Sequence, residues 1–186
     1  VAGYPAIGMG HVFRSLMLAH EIANHKVFFV CTKESELAAS NIAARDYKTV
    51  IQQGELWEDV LALDPDLVIN DMLDTPREYM EHLKAANIPV VNFEDEGPGS
   101  VLADQVVNAL YEEPQNETNG KQPERFLYGH KYFCLRDEFL QAEQNAFRPD
   151  PKCILITFGG TDMPDYTRQT LDTVEPLCRE RGIAIR

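Results

Sequence analysis

Apolar residues recur along this chain in two alternating rhythms. Val12, Leu16, Ala19 and Ala23 fall four, three and four residues apart, which lays them on one face of a helix that opens after Gly10 and ends near Asn24. Val27–Cys31 is a continuous apolar run of strand length, the form of a parallel strand covered on both faces. The alternation then repeats. A short helix is predicted over 34–41, a strand over 47–51, a helix over 55–63 with Leu56, Val60 and Leu63 on one face, and a buried strand over 66–71. Thr75, Pro76 and Glu78 have the spacing of a capping box that starts a helix running to about Asn87. Strands are predicted over 88–93, with Pro89 tolerated near the start, and over 104–109. A polar loop spans 111–122, followed by a short strand over 131–134 and a short helix over 137–145. After two prolines come an apolar β run over 152–158, a helix over about 165–180 closed by Gly182, and the start of a strand at 183–185.

Alternating β and α units of this kind predict an α/β fold, a Rossmann-like doubly wound parallel sheet. Phe147-Arg148-Pro149-Asp150-Pro151 interrupts the pattern, so one domain is placed over 1–147 and the start of a second over 148–186. Only Val1 and Ala2 precede Gly3 and the glycine turn, and 183–186 reads as a strand barely begun, so the chain is expected to be a fragment whose first strand lies mostly upstream.

In such sheets ligands sit beyond the carboxyl ends of the strands. Four stretches fall on that side. The first is Ile7-Gly8-Met9-Gly10-His11-Val12-Phe13-Arg14, where Gly8 and Gly10 permit positive φ and close approach of a ligand to the backbone, and His11 and Arg14 share a helical face. The free N–H groups of the helix N-terminus suit an anion, the imidazole a general base and the guanidinium a counter-charge. The same residues also read as a tight turn with a solvated histidine and an arginine capping a neighbouring carbonyl, and the loop matches neither the dinucleotide fingerprint nor the Walker spacing. Asp71 follows a buried strand, where an acid either caps a turn or meets substrate. Glu94, Asp95 and Glu96 crowd like charges at another strand end, which points to a cationic or sugar-like neighbour or to a solvated turn. Gly159, Gly160, Thr161 and Asp162 form either a phosphate-holding loop or a turn with Asp162 as a helix cap. His20, His25, His82 and His130 have no partner at a useful spacing.

Charge and composition narrow the classes. The formal net charge of −13 over 186 residues argues against a phosphate-backbone partner, leaving room for a small anion in a local pocket. Apolar residues make up 44% without a run long enough for a membrane span, and no signal-peptide pattern opens the sequence. Cys31, Cys134, Cys153 and Cys178 show no metal-ligand spacing and read as buried reduced thiols of a cytoplasmic protein. No metal and no cofactor is expected.

Taken together, IGMGHVFRSLMLA, VINDM, VVNFEDEG followed by AD and VNALY, YFCLRDEF and ITFGGTD, in this order, resemble the UDP-sugar hydrolase of pseudaminic acid biosynthesis and the related spore-coat polysaccharide proteins. The resemblance spans nearly the whole chain, and it is the combination that is specific. It implies the N-terminal half of a two-domain glycosyltransferase-B fold together with the start of the second domain. His11 would be the base that deprotonates water, and Gly8, Gly10, Arg14, Asp71 and Asp95 would face the substrate. Gly159, Gly160, Thr161 and Asp162 would open the nucleotide-binding domain. The implied reaction is metal-free displacement of UDP by water, with inversion, from a UDP-diacetamido-trideoxy-hexose. Leu73 stands where that enzyme carries an aromatic residue. Two other readings go with the same residues: a glycosyltransferase in which His11 activates a sugar hydroxyl, and a non-catalytic sugar-binding module fused to a cytidylyltransferase.

Overall fold

The computed structural model describes residues 1–3, 8–113, 124–143, 146–158, 162 and 164–186. By contact the chain divides into two compact units: residues 1–3 with Met9–Leu135, and Gly8 with Arg136–Arg186. The division falls ahead of the two prolines.

The first unit alternates helix and strand. It comprises α1 (Gly10–Glu21), β1 (Phe28–Cys31), α2 (Glu36–Ala43), β2 (Lys48–Ile51), α3 (Leu56–Leu61), β3 (Val68–Asp71), α4 (Arg77–Ala85), β4 (Val90–Phe93), β5 (Gln105–Asn108) and β6 (Phe126–Tyr128). β3, β4, β5 and β6 form one four-stranded sheet in that order, all parallel, with Val68 opposite Val90, Asn92 opposite Val106 and Val107 opposite Leu127. β1 and β2 form a second parallel pair. Val1 lies against β1, donating its N–H to the Val30 carbonyl at 2.7 Å and accepting from the Thr32 N–H at 3.3 Å. This is a Rossmann-like α/β arrangement.

Period-two burial builds the core. Val68, Val90 and Val106 point the same way from three neighbouring strands and meet Tyr79, Met80 and Leu83 of α4 and Val60 of α3. Val12, Leu16 and Ala19 of α1 pack with Phe29 and Cys31 of β1 and with Ala38, Ala39 and Ile42 of α2. Ala23, expected on the same stripe, is exposed, because α1 ends at Glu21 and the chain turns there, with the His25 N–H bonding to the Ile22 carbonyl. β1 is fully buried on one face only. Phe28, on the other, keeps part of its surface open and carries the ammonium groups of Lys26 and Lys48 over its ring at 4.8 and 5.6 Å.

The expected capping box before α4 does not form. Pro76 occupies the cap position and α4 starts at Arg77, while Thr75 turns inward, giving its N–H to Asp95 and taking the Gly99 N–H on its carbonyl. Tertiary donors and acceptors outcompete the local box. The far end closes as a Schellman turn: Asn87 adopts φ 58°, its N–H reaches the Lys84 carbonyl, and that of Ile88 reaches Leu83. Gly97 packs into the Thr75 backbone, where an added Cβ would lie 2.3 Å from the amide nitrogen and 2.7 Å from the carbonyl oxygen. Because the obstructing atoms are main chain, Gly97→Ala is expected to destabilise the first unit by about 1–3 kcal/mol. The urea midpoint of the purified variant measures it.

The strand expected over 131–134 lies instead at β6, and His130–Tyr132 is a single 3₁₀ turn. The loop expected over 111–122 falls largely outside the described residues. The second unit contains α5 (Asp137–Gln141), β7 (Cys153–Ile154), α6 (Tyr166–Arg181) and β8 (Ala184–Ile185), with β7 and β8 parallel. Gly182 ends α6 at φ 64°, the left-handed stop expected of it. The four cysteines are free. Cys31 and Cys178 are buried, but Cys134 is half-buried and Cys153 exposed, so burial is not common to all of them.

Candidate active site

Three side chains of α1 converge on one carboxylate. His11, Arg14 and Ser15 sit at positions i, i+3 and i+4, so they share a helical face. That face meets Asp71, the last residue of β3, which is fully buried. The His11 Nδ1 lies 2.6 Å from Asp71 Oδ1, and Arg14 grips both carboxylate oxygens, through Nη2 to Oδ1 and through Nε to Oδ2 at 2.8 Å. Ser15 Oγ donates to Oδ2 at 3.2 Å. The forked guanidinium contact is the strongest form of carboxylate pairing. Burial alone would push the Asp71 carboxyl up, but the bonds from His11 and Arg14 and their charges outweigh it and hold it below the usual carboxylate range. Burial likewise works against the Arg14 cation, and the Asp71 hydrogen bonds with the Asp71 and Glu94 charges overcome it and raise the Arg14 pKa.

The geometry sets the tautomer of His11. A carboxylate is an acceptor only, so the ring proton belongs on Nδ1, leaving the Nε2 lone pair as the basic position of the neutral imidazole. Arg14 Nη2 also approaches Nδ1, at 3.2 Å. With the proton on Nδ1 and no lone pair there, this contact is a close approach of two donors on the same Asp71 oxygen.

Glu94, just past β4, completes the cluster; of the neighbours that the crowding of Glu94, Asp95 and Glu96 suggests, Glu94 meets a cationic one, Arg14. It is buried at φ 50°, 3.5 Å from Arg14 Nη1, with its carboxylate accepting the N–H groups of Ala109 at 3.1 Å and Leu110 at 3.3 Å. A buried, non-glycine residue in the left-handed region is held there by its surroundings. Arg14, read from sequence as facing the substrate, is therefore bound to two buried acids and works as their tie.

Asp95 occupies a different environment from the one expected. It is 2% exposed, and both oxygens are engaged inside the fold: Oδ1 accepts the N–H groups of Thr75 and Gly97, and Oδ2 accepts the Asn92 amide. It links a buried polar ladder across three strand ends, running from the Tyr79 hydroxyl to Asn70, from Asn70 to Asn92 at 2.9 Å, to Asp95, and from the Asp95 N–H to Asn108. The sequence signal was an asparagine near the end of each of three neighbouring parallel strands, Asn70, Asn92 and Asn108.

Gly8 has φ 75°, a conformation that favours glycine. Gly10 does not share it: it is the exposed first residue of α1, and a Cβ there would meet nothing within 4 Å. No acid lies in the first turn of α1 and no side chain caps it. Asp162 accepts the N–H groups of Tyr166 at 2.8 Å and Thr167 at 2.7 Å, so it caps the start of α6, the second of its two sequence readings. Those bonds, the Thr167 bonds first, lower its pKa. Gly159, Gly160 and Thr161 lie outside the described residues.

No protein-family model matches the chain. The chain is similar to the uncharacterized protein MJ1062 of Methanocaldococcus jannaschii, 29% identical over an alignment that takes in 98% of this chain and 40% of that protein. The chain thus spans well under half the length of this relative. Among the described residues no group of three or more His, Cys, Asp or Glu is arranged to hold a metal ion, and no helix is long and apolar enough to cross a membrane.

Proposed function

We propose that this chain carries the catalytic side of a nucleotide-sugar hydrolase that releases UDP from a UDP-diacetamido-trideoxy-hexose, acting in the cytoplasm on the way to a sialic-acid-like surface sugar. The observation that carries the reading is the His11–Asp71 contact at the carboxyl end of a parallel sheet. It orients an imidazole with its basic nitrogen free of the carboxylate, as a general base requires. Water attacks the anomeric carbon, the bond from that carbon to the diphosphate oxygen breaks, UDP departs with the bonding electrons, and the water proton passes to His11 Nε2. Asp71 holds the resulting imidazolium through Nδ1. The uncapped N-terminus of α1, with backbone N–H groups and no acid in its first turn, suits the departing diphosphate. Gly159, Gly160 and Thr161 belong to the nucleotide side of this reading, and the chemistry assigns no metal.

The test is UDP release from this substrate, without acceptor, by the full-length protein and its His11→Ala variant. Release of UDP and free sugar by wild type but not by the variant supports the hydrolase. Release only when a sugar acceptor is added turns the reading to a glycosyltransferase with the same base. A second variant separates fold from ligand. Gly10→Ala meets no neighbour and adds a better helix former, so stability is expected to hold or rise by up to about 1 kcal/mol. UDP release is nevertheless expected to fall, because the methyl group would occupy the backbone surface assigned to the diphosphate. Unchanged turnover in Gly10→Ala would remove α1 from the phosphate site.

A further inference from the structure

Two buried acids share one cation in the candidate site, and a base beside them feels the balance. Asp71 and Glu94 are 0% and 1% exposed, and Arg14 contacts both, Asp71 through Nε and Nη2 and Glu94 through Nη1 at 3.5 Å. The same guanidinium lies 3.2 Å from His11 Nδ1, with Nη2 and Nδ1 on one Asp71 oxygen. Arg14 is therefore the neighbour that opposes a positive charge on His11. Two cations on a single carboxylate repel, and inside the fold little water screens them.

Glu94 is placed to offset that repulsion. Its backbone is held at φ 50°, a region that a glutamate rarely adopts, and its carboxylate is fixed by the Ala109 and Leu110 N–H groups. Any acceptor satisfies a backbone N–H; it is the contact with Arg14 that draws on the charge. Two further ionisable side chains sense this cluster, Tyr111 after β5 and Cys134 after β6. Burial pushes the Cys134 thiol up, and the Asp71 and Glu94 charges add to it against the pull of Arg14. Burial, then the charges of Glu96 and Glu94, does the same for the Tyr111 phenol, again against Arg14. Both are therefore uncharged at neutral pH. With a neutral imidazole, His11, Arg14, Asp71 and Glu94 together carry one negative charge, and proton uptake at Nε2 brings them to neutrality. Without the Glu94 carboxylate the same step would turn a neutral buried group into a positive one.

We propose that Glu94 is a positioning residue for the base: acting through Arg14, it supplies the counter-charge that lets His11 hold a proton beside the guanidinium. Its effect on turnover rests on the hydrolase reading above, whereas the charge balance does not. The sign follows from the charge of Glu94 itself and from its contact with Arg14, so it holds whatever lies beyond the cluster.

The experiment follows the histidine ring resonances of full-length protein by NMR as pH is varied, with His11 assigned by its loss in His11→Ala. Glu94→Gln keeps the shape and an oxygen for the Ala109 and Leu110 N–H groups but loses the charge, and Glu94→Asp keeps the charge on a shorter arm. The His11 midpoint is expected to fall by about one pH unit in Glu94→Gln and to stay near that of wild type in Glu94→Asp. In the pH profile of UDP release, Glu94→Gln should move the acid limb of kcat/KM to lower pH, because the base then loses its proton more readily. The plateau should fall about tenfold, because the imidazolium formed in turnover is less well held. A residue that only tied β4 to β5 would cost stability in both variants and move neither the midpoint nor the limb. If Glu94→Gln folds poorly, the comparison is between Arg14→Met and the double variant Arg14→Met/Glu94→Gln. The second substitution removes the acid that the first leaves unpaired, and the midpoint is expected below that of Arg14→Met. An unmoved midpoint on loss of the Glu94 charge, or an equal fall in Glu94→Asp, overturns the proposal. A lowered midpoint in a protein that releases no UDP keeps the counter-charge and removes the hydrolase. UDP release that depends on His11, with an unmoved midpoint, keeps the hydrolase and removes Glu94 from it.

Discussion

His11→Ala is expected to lower the rate of UDP release by ~10²–10⁴-fold, the range for loss of a positioned general base. The loss should fall on kcat with KM little changed, because the imidazole acts on the water proton as the glycosidic bond breaks. The fold should survive, since Asp71 retains the two-pronged grip of Arg14 and the Ser15 hydroxyl after the imidazole is gone. Far-ultraviolet circular dichroism and a urea titration check this. Added imidazole gives the sharper control: partial rescue of the rate in His11→Ala requires that the missing ring handled a proton, and a histidine that served only packing would show none. Asp71→Asn is the companion. Its amide nitrogen cannot accept the Nδ1 proton, and if the amide rotates to offer its oxygen to His11, one of the Arg14 N–H groups is left facing a donor. Turnover near wild type in His11→Ala would end the assignment of His11 as base.

Asp71→Ala is expected to be the most destabilising change in the first unit, by about 3–5 kcal/mol, the cost of removing one partner of a buried ion pair. Arg14 would keep only Glu94, at 3.5 Å, and the His11 and Ser15 donors would lose their acceptor inside the fold. Urea denaturation at neutral pH measures the difference. A loss below about 1 kcal/mol, the level of an exposed pair, would mean that the cluster is more open to water than its burial implies. The pH dependence has a definite sign. Asp71 is held below the ordinary carboxylate value of 3.8, so its contribution is fully present above that pH and is lost as pH falls through the depressed native value. Wild type should therefore lose stability steeply on acidification below about pH 4, and Asp71→Ala should show a shallower acid slope. Some slope remains in the variant, since Asp104, bonded by Lys84, is shifted in the same direction.

Much of the framework was legible because periodicity is a local consequence of burying one face of an element. The spacing of Val12, Leu16 and Ala19 and the apolar runs before Asp71 and Phe93 sufficed for the order of helices and strands and for the Rossmann-like class. Boundaries set by competition were not legible. Thr75 has the sequence of a cap, yet its N–H goes to Asp95, twenty residues away, because a buried carboxylate is the stronger acceptor. β6 escaped because its three residues follow a polar stretch and only pairing with β5 makes them a strand.

The candidate site divides along the same line. That His11 opens a helix after a glycine turn, and that Asp71 ends a strand, is written in the chain, since turn chemistry and hydrophobic period are short-range properties. The four carboxylate oxygens of the Asp71 and Asp95 strand ends look alike in sequence, and folding alone separates them. Asp71 receives the donors of α1, whereas Asp95 is drawn into the asparagine ladder. Charge crowding marks Glu94 in the sequence, but its partners do not follow from it: they are Arg14, arriving from eighty positions earlier, and the Ala109 and Leu110 N–H groups from the end of β5. The sequence by itself determined most of the elements and placed Asp71, Glu94 and Asp95 at strand ends, because both follow from the periodicity of burial. Only the tertiary structure decided which acids hold the histidine and which hold the scaffold, because a buried carboxylate takes its role from whatever donors packing brings within reach.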